Sequence, residues 1–236
     1  MIKVVLPTDF SKNAFHAIAY ALKLLQDHTC RFYLVHTYTP PIYRVDYTLG
    51  SPGQLGLPDV QRNSAEEALE DTIKTIKPLS NPAKHTFVSH AAFNTLAEEM
   101  DSISHKEGID FIVMGTQGAT GAMEILFGSN TVQVIQKSAV PVLVIPNDFE
   151  YEPPRNILFP TDYEVDYQKA HLDFLLKFSK LEHSKLHILH ISSPEGLDEG
   201  QVNQKVRLEG KLLEHNHEFY DLPDQELIPA INAFQE

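Results

Sequence analysis

The sequence predicts an α/β protein made of two tandem copies of one doubly wound, parallel-sheet unit, the second of which lacks its last strands. Short apolar runs without polar alternation, such as residues 2–6, are typical of strands buried on both faces of a parallel sheet. Amphipathic helical segments alternate with these runs, which favours right-handed crossovers between parallel strands. The opening of the chain is repeated after residue 155, and this repetition indicates tandem domains.

The elements of the first copy follow one another in a regular order. After the strand at residues 2–6, Ser11 is a residue type that caps helices, and apolar side chains recur at helical spacing behind it. Gly108 is suited to end the third helix. Residues 40–58 show no clear hydrophobic periodicity and are predicted to form a long loop. The predicted helices are residues 12–26, 61–77, 95–105 and 129–137, and the further predicted strands are residues 31–36, 85–88, 111–114 and 140–145.

Residues 147–155 interrupt this alternation with prolines and acidic side chains, which is typical of a linker. Beyond them the sequence of the first copy returns. The segment at 157–162 restates that at 4–9, both ending in Pro-Thr-Asp, and 186–190 restates 32–36, both ending in His. The aspartate and histidine are separated by 27 residues in the first copy and 28 in the second. A third match relates His217-Glu218-Phe219 to His85-Thr86-Phe87.

We therefore predict a first domain at residues 1–146, a linker at 147–155 and a partial second domain at 156–236. Nothing in the second copy corresponds to residues 111–145, so it is interpreted as degenerate or cut short. The charge is divided unevenly. Residues 1–146 carry 11 basic and 14 acidic side chains, net −3, whereas residues 147–236 carry 8 and 18, net −10.

The composition argues against several classes of protein. A net charge of −13 has the wrong sign for binding a nucleic-acid backbone. The single cysteine, Cys30, argues against a disulfide framework or a multi-cysteine zinc site and suits a reducing compartment. No apolar run approaches the ~18 residues of a membrane span, and the N-terminus shows no secretory signal, so a cytoplasmic protein is expected. The twelve histidines do not form a pattern that favours a metal site.

One glycine-rich segment carries a chemical signal. Gly115-Thr116-Gln117-Gly118 is followed by nine residues and then Gly128-Ser129. Glycines after a parallel strand let the backbone approach a ligand, and Ser129 is expected to cap a helix whose N-terminal N–H groups attract an anion. Asp9 follows the first strand at the same edge of the sheet. The pattern predicts a phosphate cradle; the alternative is that the glycines only form turns.

Two better-known phosphate loops are excluded. A Walker A loop ends in Gly-Lys-Ser/Thr, and residues 115–130 contain no lysine or arginine. The dinucleotide fingerprint requires a glycine-rich turn after the first strand, where this chain has Pro-Thr-Asp-Phe-Ser.

With these residues the sequence resembles the universal stress protein family, whose ATP-binding pattern is Gly-x2-Gly-x9-Gly-Ser. The Pro7-Thr8-Asp9 opening and the ending Lys-Ser-Ala-Val-Pro-Val-Leu-Val-Ile at 137–145 match as well. The resemblance covers residues 1–146 completely and 156–236 as a partial second copy, so the chain looks like a tandem member. It implies adenine nucleotide alpha hydrolase-like, Rossmann-like domains with five parallel strands in the complete copy.

The resemblance also implies a nucleotide site in the first domain. Asp9 and the backbone at Thr37 would contact the adenosine end, with Pro7 and Thr8 in the same turn as Asp9. Met114 and Gly115 would lie under the ribose and the first phosphate. The residues that would bind the phosphates are Gln117, Gly118, Gly128, Ser129 and Asn130. The ligand would be ATP or AMP, and Mg²⁺ would accompany a triphosphate. Glu124 departs from the pattern because an acidic residue in the loop would oppose an anion.

The function that this implies is a cytoplasmic stress-response sensor or binding module. The alternatives are an interaction protein with a vestigial loop and a slow ATPase. No residue is placed as a clear general base, so an enzyme is not the favoured reading. Family members often pair through the last strand, and the strand from Val140 to Ile145 has no counterpart in the second copy. We therefore expect a homodimer across it.

Overall fold

The computed structural model describes residues 1–38, 57–116, 128–147, 149–167, 172–223 and 226–235. The chain divides into two compact units, unit 1 at Met1–Tyr151 and unit 2 at Glu152–Glu236. None of the helices in the described ranges combines the length and the apolar character needed to cross a membrane.

Unit 1 contains a five-stranded parallel sheet in the order β3-β2-β1-β4-β5. The predicted α/β class with a parallel sheet is therefore confirmed. Its strands are β1 (Ile2–Pro7), β2 (Cys30–Thr37), β3 (His85–Ala92), β4 (Phe111–Gly115) and β5 (Val142–Ile145). Its helices are α1 (Lys12–Leu24), α2 (Leu57–Ile76), α3 (Leu96–Glu107) and α4 (Ser129–Lys137).

The local chemistry of unit 1 explains where its elements stop and start. Ser11 caps α1 by accepting a hydrogen bond from the Ala14 amide, as predicted. Gly108 ends α3 at φ 64°, a left-handed conformation that favours glycine. Val4, Val5 and Leu6 of β1 are completely buried because helices cover both faces of the sheet.

Several predicted boundaries were wrong. Helix α2 begins at Leu57, four residues before the prediction, and Pro58 fits there because the first turn needs no intrahelical N–H bond. It ends at Ile76, where a 3₁₀ turn containing Pro78 follows. Strand β3 extends from His85 to Ala92 instead of Val88, because its second half pairs with β2 through the backbone without an apolar pattern.

Unit 2 contains a three-stranded parallel sheet in the order β6-β7-β8. Its strands are β6 (Asn156–Pro160), β7 (Lys185–Ser192) and β8 (His217–Pro223), and its helices are α5 (Asp173–Leu181), α6 (Glu199–Leu212) and α7 (Leu227–Gln235). The arrangement repeats β1, β2 and β3 of unit 1.

The hydrogen bonds of the two units test the sequence repeat residue by residue. The Thr8 amide donates to the Val35 carbonyl at 2.8 Å, and the Thr161 amide donates to the Leu189 carbonyl at 2.8 Å. The first two matches are therefore structurally equivalent.

The third match is displaced by two residues. His85 pairs with Cys30, but His217 pairs with Leu186, whose counterpart in unit 1 is Phe32. A shift of two residues keeps every side chain on the same face of the sheet, which is why the sequence pattern concealed it.

Candidate functional site

The strand order creates a topological switch point in unit 1. The chain proceeds from β1 through β2 to β3 on one side, and β4 and β5 lie on the other side of β1. Ligands of open α/β sheets bind at such a point, beyond the carboxyl ends of the strands. Pro7 ends β1 and Gly115 ends β4, so the two predicted site segments leave the sheet from adjacent strands.

The segment after β1 is a tight polar turn. The hydroxyl of Thr8 accepts a hydrogen bond from the Phe10 amide at 3.0 Å, and a carboxylate oxygen of Asp9 accepts one from the Ser11 amide at 3.0 Å. Phe10 takes a left-handed conformation with φ 64°, which only a strongly specified turn holds for an aromatic residue. Thr8 is buried and Asp9 is exposed. The turn therefore presents the predicted aspartate at the sheet edge.

The neighbouring strand supports this turn through a residue that the sequence analysis did not select. His36, near the end of β2, makes a 2.8 Å hydrogen bond from Nδ1 to the Thr8 carbonyl oxygen, and its ring lies 4.5 Å from that of Phe10. The signal was available in the sequence, because unit 2 repeats the arrangement with His190 and Tyr163 at 4.8 Å. Thr37, the predicted backbone contact, is the last residue of β2.

Two predicted site residues, Met114 and Gly115, lie at the end of β4. Met114 is buried in a core cluster that includes Val5 and Val134. Gly115 lies against Asn13 of α1. A Cβ atom at position 115 would be 2.7 Å from both Nδ2 and Oδ1 of Asn13. The sequence did not reveal this neighbour of Gly115, because only the fold brings α1 to β4.

The N-terminus of α4 departs from the prediction. Gly128, not Ser129, is the N-cap residue, and no described side chain caps this helix. Ser129 is the first helical residue because the Gly128 amide is already bonded to the Thr116 carbonyl at 2.6 Å, which fixes the turn one residue earlier. Ser129 and Asn130 are exposed. The first N–H groups of α4 have no intrahelical acceptors, and they form the positive end of its dipole.

Several predicted features lie outside the described residues. These are the phosphate-loop residues Gln117 and Gly118, the acidic departure Glu124, and most of the long loop predicted at 40–58.

Titratable side chains away from the switch point interact with other protein groups and do not mark a second site among the described residues. Within the described residues, no group of three or more His, Cys, Asp or Glu could hold a metal ion. Burial raises the pKa of the Cys30 thiol to about 11, which keeps it protonated at neutral pH. His187 bonds to Asn156 and Tyr220, and its pKa is lowered chiefly by desolvation.

Fold and site together define a parallel α/β domain that offers an acidic turn at its switch point and a helix N-terminus that no side chain in the described ranges caps. The model of the universal stress protein family matches residues 1–146. The chain belongs to the universal stress protein family.

Curated relatives support this assignment for the first part of the chain. The chain is 27% identical over 143 residues to universal stress protein MJ0531 of Methanocaldococcus jannaschii, covering 61% of this chain and 81% of the relative. It is 52% identical over 48 residues to universal stress protein MJ0577 of the same organism, covering 20% of this chain and 30% of the relative.

Solved structures show the same fold. The structure of hypothetical protein MJ0577 is 27% identical with a TM-score of 0.50, covering 63% of this chain and 98% of that chain. A universal stress protein from Archaeoglobus fulgidus DSM 4304 has a TM-score of 0.67 at 20% identity, covering 99% of this chain and 82% of that chain. The second similarity shows that the fold of a family member extends over both units.

Proposed function

We propose that unit 1 binds an adenine nucleotide, ATP or AMP, and that the protein acts as a stress-response sensor or binding module in the cytoplasm. The observation that carries this proposal is that exposed Asp9 follows β1 and that α4, whose N-terminus no side chain of the described residues caps, follows β4 beside it at the switch point. Family membership supports the proposal, and the single, buried Cys30 suits a reducing compartment.

The described residues fit such a ligand in two parts. Asp9 follows β1, and Thr37 is the last residue of the neighbouring β2. The Asp9 carboxylate and the Thr37 backbone would hold the adenosine end, where a carboxylate accepts hydrogen bonds from a ribose hydroxyl or a nucleobase amino group. The N–H groups of Ser129 and Asn130 would hold phosphate oxygens, which the helix dipole also attracts. The Gly128 N–H, also predicted as a phosphate contact, already donates to the Thr116 carbonyl, so Gly128 would shape the turn before the helix. Mg²⁺ would supply charge neutralisation for a triphosphate.

The geometry of the candidate site favours nucleotide binding over catalysis. One oxygen of the Asp9 carboxylate already accepts the Ser11 amide, which holds the side chain in the local turn. A general base needs a reactive position beside the proton that it removes, and we assign no residue to that role. Any hydrolysis of bound ATP would be slow.

The duplicated turn provides a matched pair of variants for testing the proposal. Asp162 of unit 2 accepts the Glu164 amide at 3.0 Å, as Asp9 accepts the Ser11 amide at 3.0 Å. Asp9→Asn and Asp162→Asn each remove one charge and keep the turn acceptor. Isothermal titration with Mg-ATP and with AMP should show about tenfold weaker binding for Asp9→Asn, a change typical of losing a charged hydrogen bond. Asp162→Asn should bind as the wild type does, and equal losses in both variants would contradict a site in unit 1.

The predicted homodimer is also part of the proposal. Strand β5 is the outermost strand on its side of the described sheet, and Val142 and Val144 are only partly buried. The Ile112 amide donates to the Pro141 carbonyl, and the Thr116 amide donates to the Ile145 carbonyl. The backbone N–H and C=O groups of odd-numbered residues in this segment therefore point toward β4. By the alternation of a parallel strand, the Val144 N–H faces the free edge.

Proline at position 144 would therefore remove a donor from the edge without breaking the β4 ladder. Val144→Pro should convert a dimer to a monomer in light scattering at micromolar concentration. Leu143→Pro is the control, since it should instead disrupt the sheet itself. A wild-type protein that is monomeric under these conditions would refute the dimer.

A further inference from the structure

Thr131 connects the two backbone segments that border the switch point. It is the third residue of α4 and is 2% exposed. Its hydroxyl lies 3.0 Å from the Gly115 carbonyl oxygen and 3.3 Å from the Thr116 carbonyl oxygen. Both carbonyls belong to the end of β4, whereas the hydroxyl belongs to the helix, so one side chain joins strand and helix.

A second hydrogen bond joins α4 to the end of β4. The Gly128 amide donates to the Thr116 carbonyl at 2.6 Å, which attaches the N-cap of α4 to the same peptide. A hydroxyl has one proton, so Thr131 donates mainly to Gly115 at 3.0 Å and only weakly to Thr116. The Asn13 side chain of α1 occupies the place that a Cβ atom of residue 115 would need, 2.7 Å from it. Thr131 and Gly128 thus attach the first turn of α4 to the end of β4.

We infer that Thr131 is a positioning residue for phosphate binding, and this inference rests on the proposed function. The N–H groups at the start of α4 act on a phosphate only when they lie at a set distance from the backbone at the end of β4. The Thr131 hydroxyl sets that distance. Thr131 does not touch the ligand; it acts through Gly115, Thr116 and Gly128.

The chemistry of the side chain makes the role testable. Valine has nearly the same shape as threonine, so Thr131→Val preserves the packing and leaves the Gly115 carbonyl without its side-chain donor. Thr131→Ser keeps the hydroxyl and loses one methyl group. Thr72 provides a matched control in α2, because its hydroxyl donates to the Ala68 carbonyl at 2.8 Å in a helix outside the switch point.

The experiment compares two ligands that differ in phosphate. The dissociation constants of Mg-ATP and of adenosine are measured for the wild type, Thr131→Val, Thr131→Ser and Thr72→Val, together with their melting temperatures without ligand. Thr131→Val should weaken ATP binding about tenfold, as expected for one hydrogen bond that orders a charged site, and should change adenosine binding by less than about twofold. Thr131→Ser and Thr72→Val should bind both ligands like the wild type.

Each outcome decides between the explanations. Equal weakening of ATP and adenosine by Thr131→Val would mean that the residue only stabilises the fold, and unchanged ATP binding would also overturn the inference. If the wild type binds no adenine nucleotide, the proposed function fails and the inference falls with it. If Thr131→Val does not fold, Thr131→Ala is the second hydroxyl-free variant, and the same ATP-specific loss is expected.

Discussion

Replacing Gly115 by alanine tests the packing beneath the candidate site. Gly115 is not among the described residues with positive φ, so an alanine can take its backbone conformation and the cost is steric. The new Cβ atom would lie 2.7 Å from Asn13 Nδ2, 2.7 Å from Oδ1 and 2.8 Å from Cγ, all closer than atoms can approach. Because Asn13 is 6% exposed, its amide has little room to move away.

The expected penalty is about 1–3 kcal/mol, the range for adding an atom to a well-packed interior. Asn13→Ala removes the atoms that clash, so Gly115→Ala should cost less than about 0.5 kcal/mol in that background. The double-mutant cycle should give a coupling of about 1 kcal/mol or more, as found for residues in contact. Hydrogen exchange of the β1 and β4 amides is the assay, because it reports unit 1 separately from unit 2.

Gly210→Ala in α6 is the matched control. A Cβ atom there would meet nothing within 4 Å, so the same substitution should stabilise unit 2 by about 0.5–1 kcal/mol through helix propensity. Additive penalties for Gly115→Ala and Asn13→Ala would refute the contact on which the reasoning depends.

Three further predictions follow from unit 2 and from the core. Burial raises the pKa of Tyr163 from 10.0 to about 12, so between these pH values the native state keeps a proton that the unfolded state loses. The free energy of unfolding of unit 2 should therefore fall as the pH rises from about 10 to about 12. Tyr163→Phe should flatten that decline in alkaline urea titrations. Cys30, with its pKa raised to about 11, should react with a thiol reagent at pH 8 only after unfolding in urea. Asp198→Ala should destabilise α6 by about 0.5–2 kcal/mol in circular dichroism melts, because it removes the side-chain acceptor of the Gln201 amide, one of the two bonds of a capping box.

The sequence predicted the fold wherever burial or capping leaves a local signal. The apolar run of β1, the Ser11 cap and the Gly108 terminus were all visible because each depends on neighbours in the chain. The second half of β3 was missed because its pairing with β2 is a backbone contact between distant segments. The two-residue shift of His217 was hidden for the same reason, since only the partner strand defines the register.

The sequence predicts a position for the candidate site but not the contacts around it. Asp9 and the glycines mark the sheet edge because open α/β sheets place ligands there. The roles of His36, Asn13 and Thr131 depend on contacts between β2, α1, β4 and α4, which no periodicity encodes.

The nucleotide content of freshly purified protein tests the central claim most directly. The protein is denatured, and the released adenine nucleotides are identified and counted by chromatography. The proposal predicts one ATP or AMP per chain in the wild type and a reduced amount in Asp9→Asn, with Asp162→Asn unchanged. No released nucleotide, together with no binding of Mg-ATP at millimolar concentration, would contradict the proposal and favour an interaction protein with a vestigial loop.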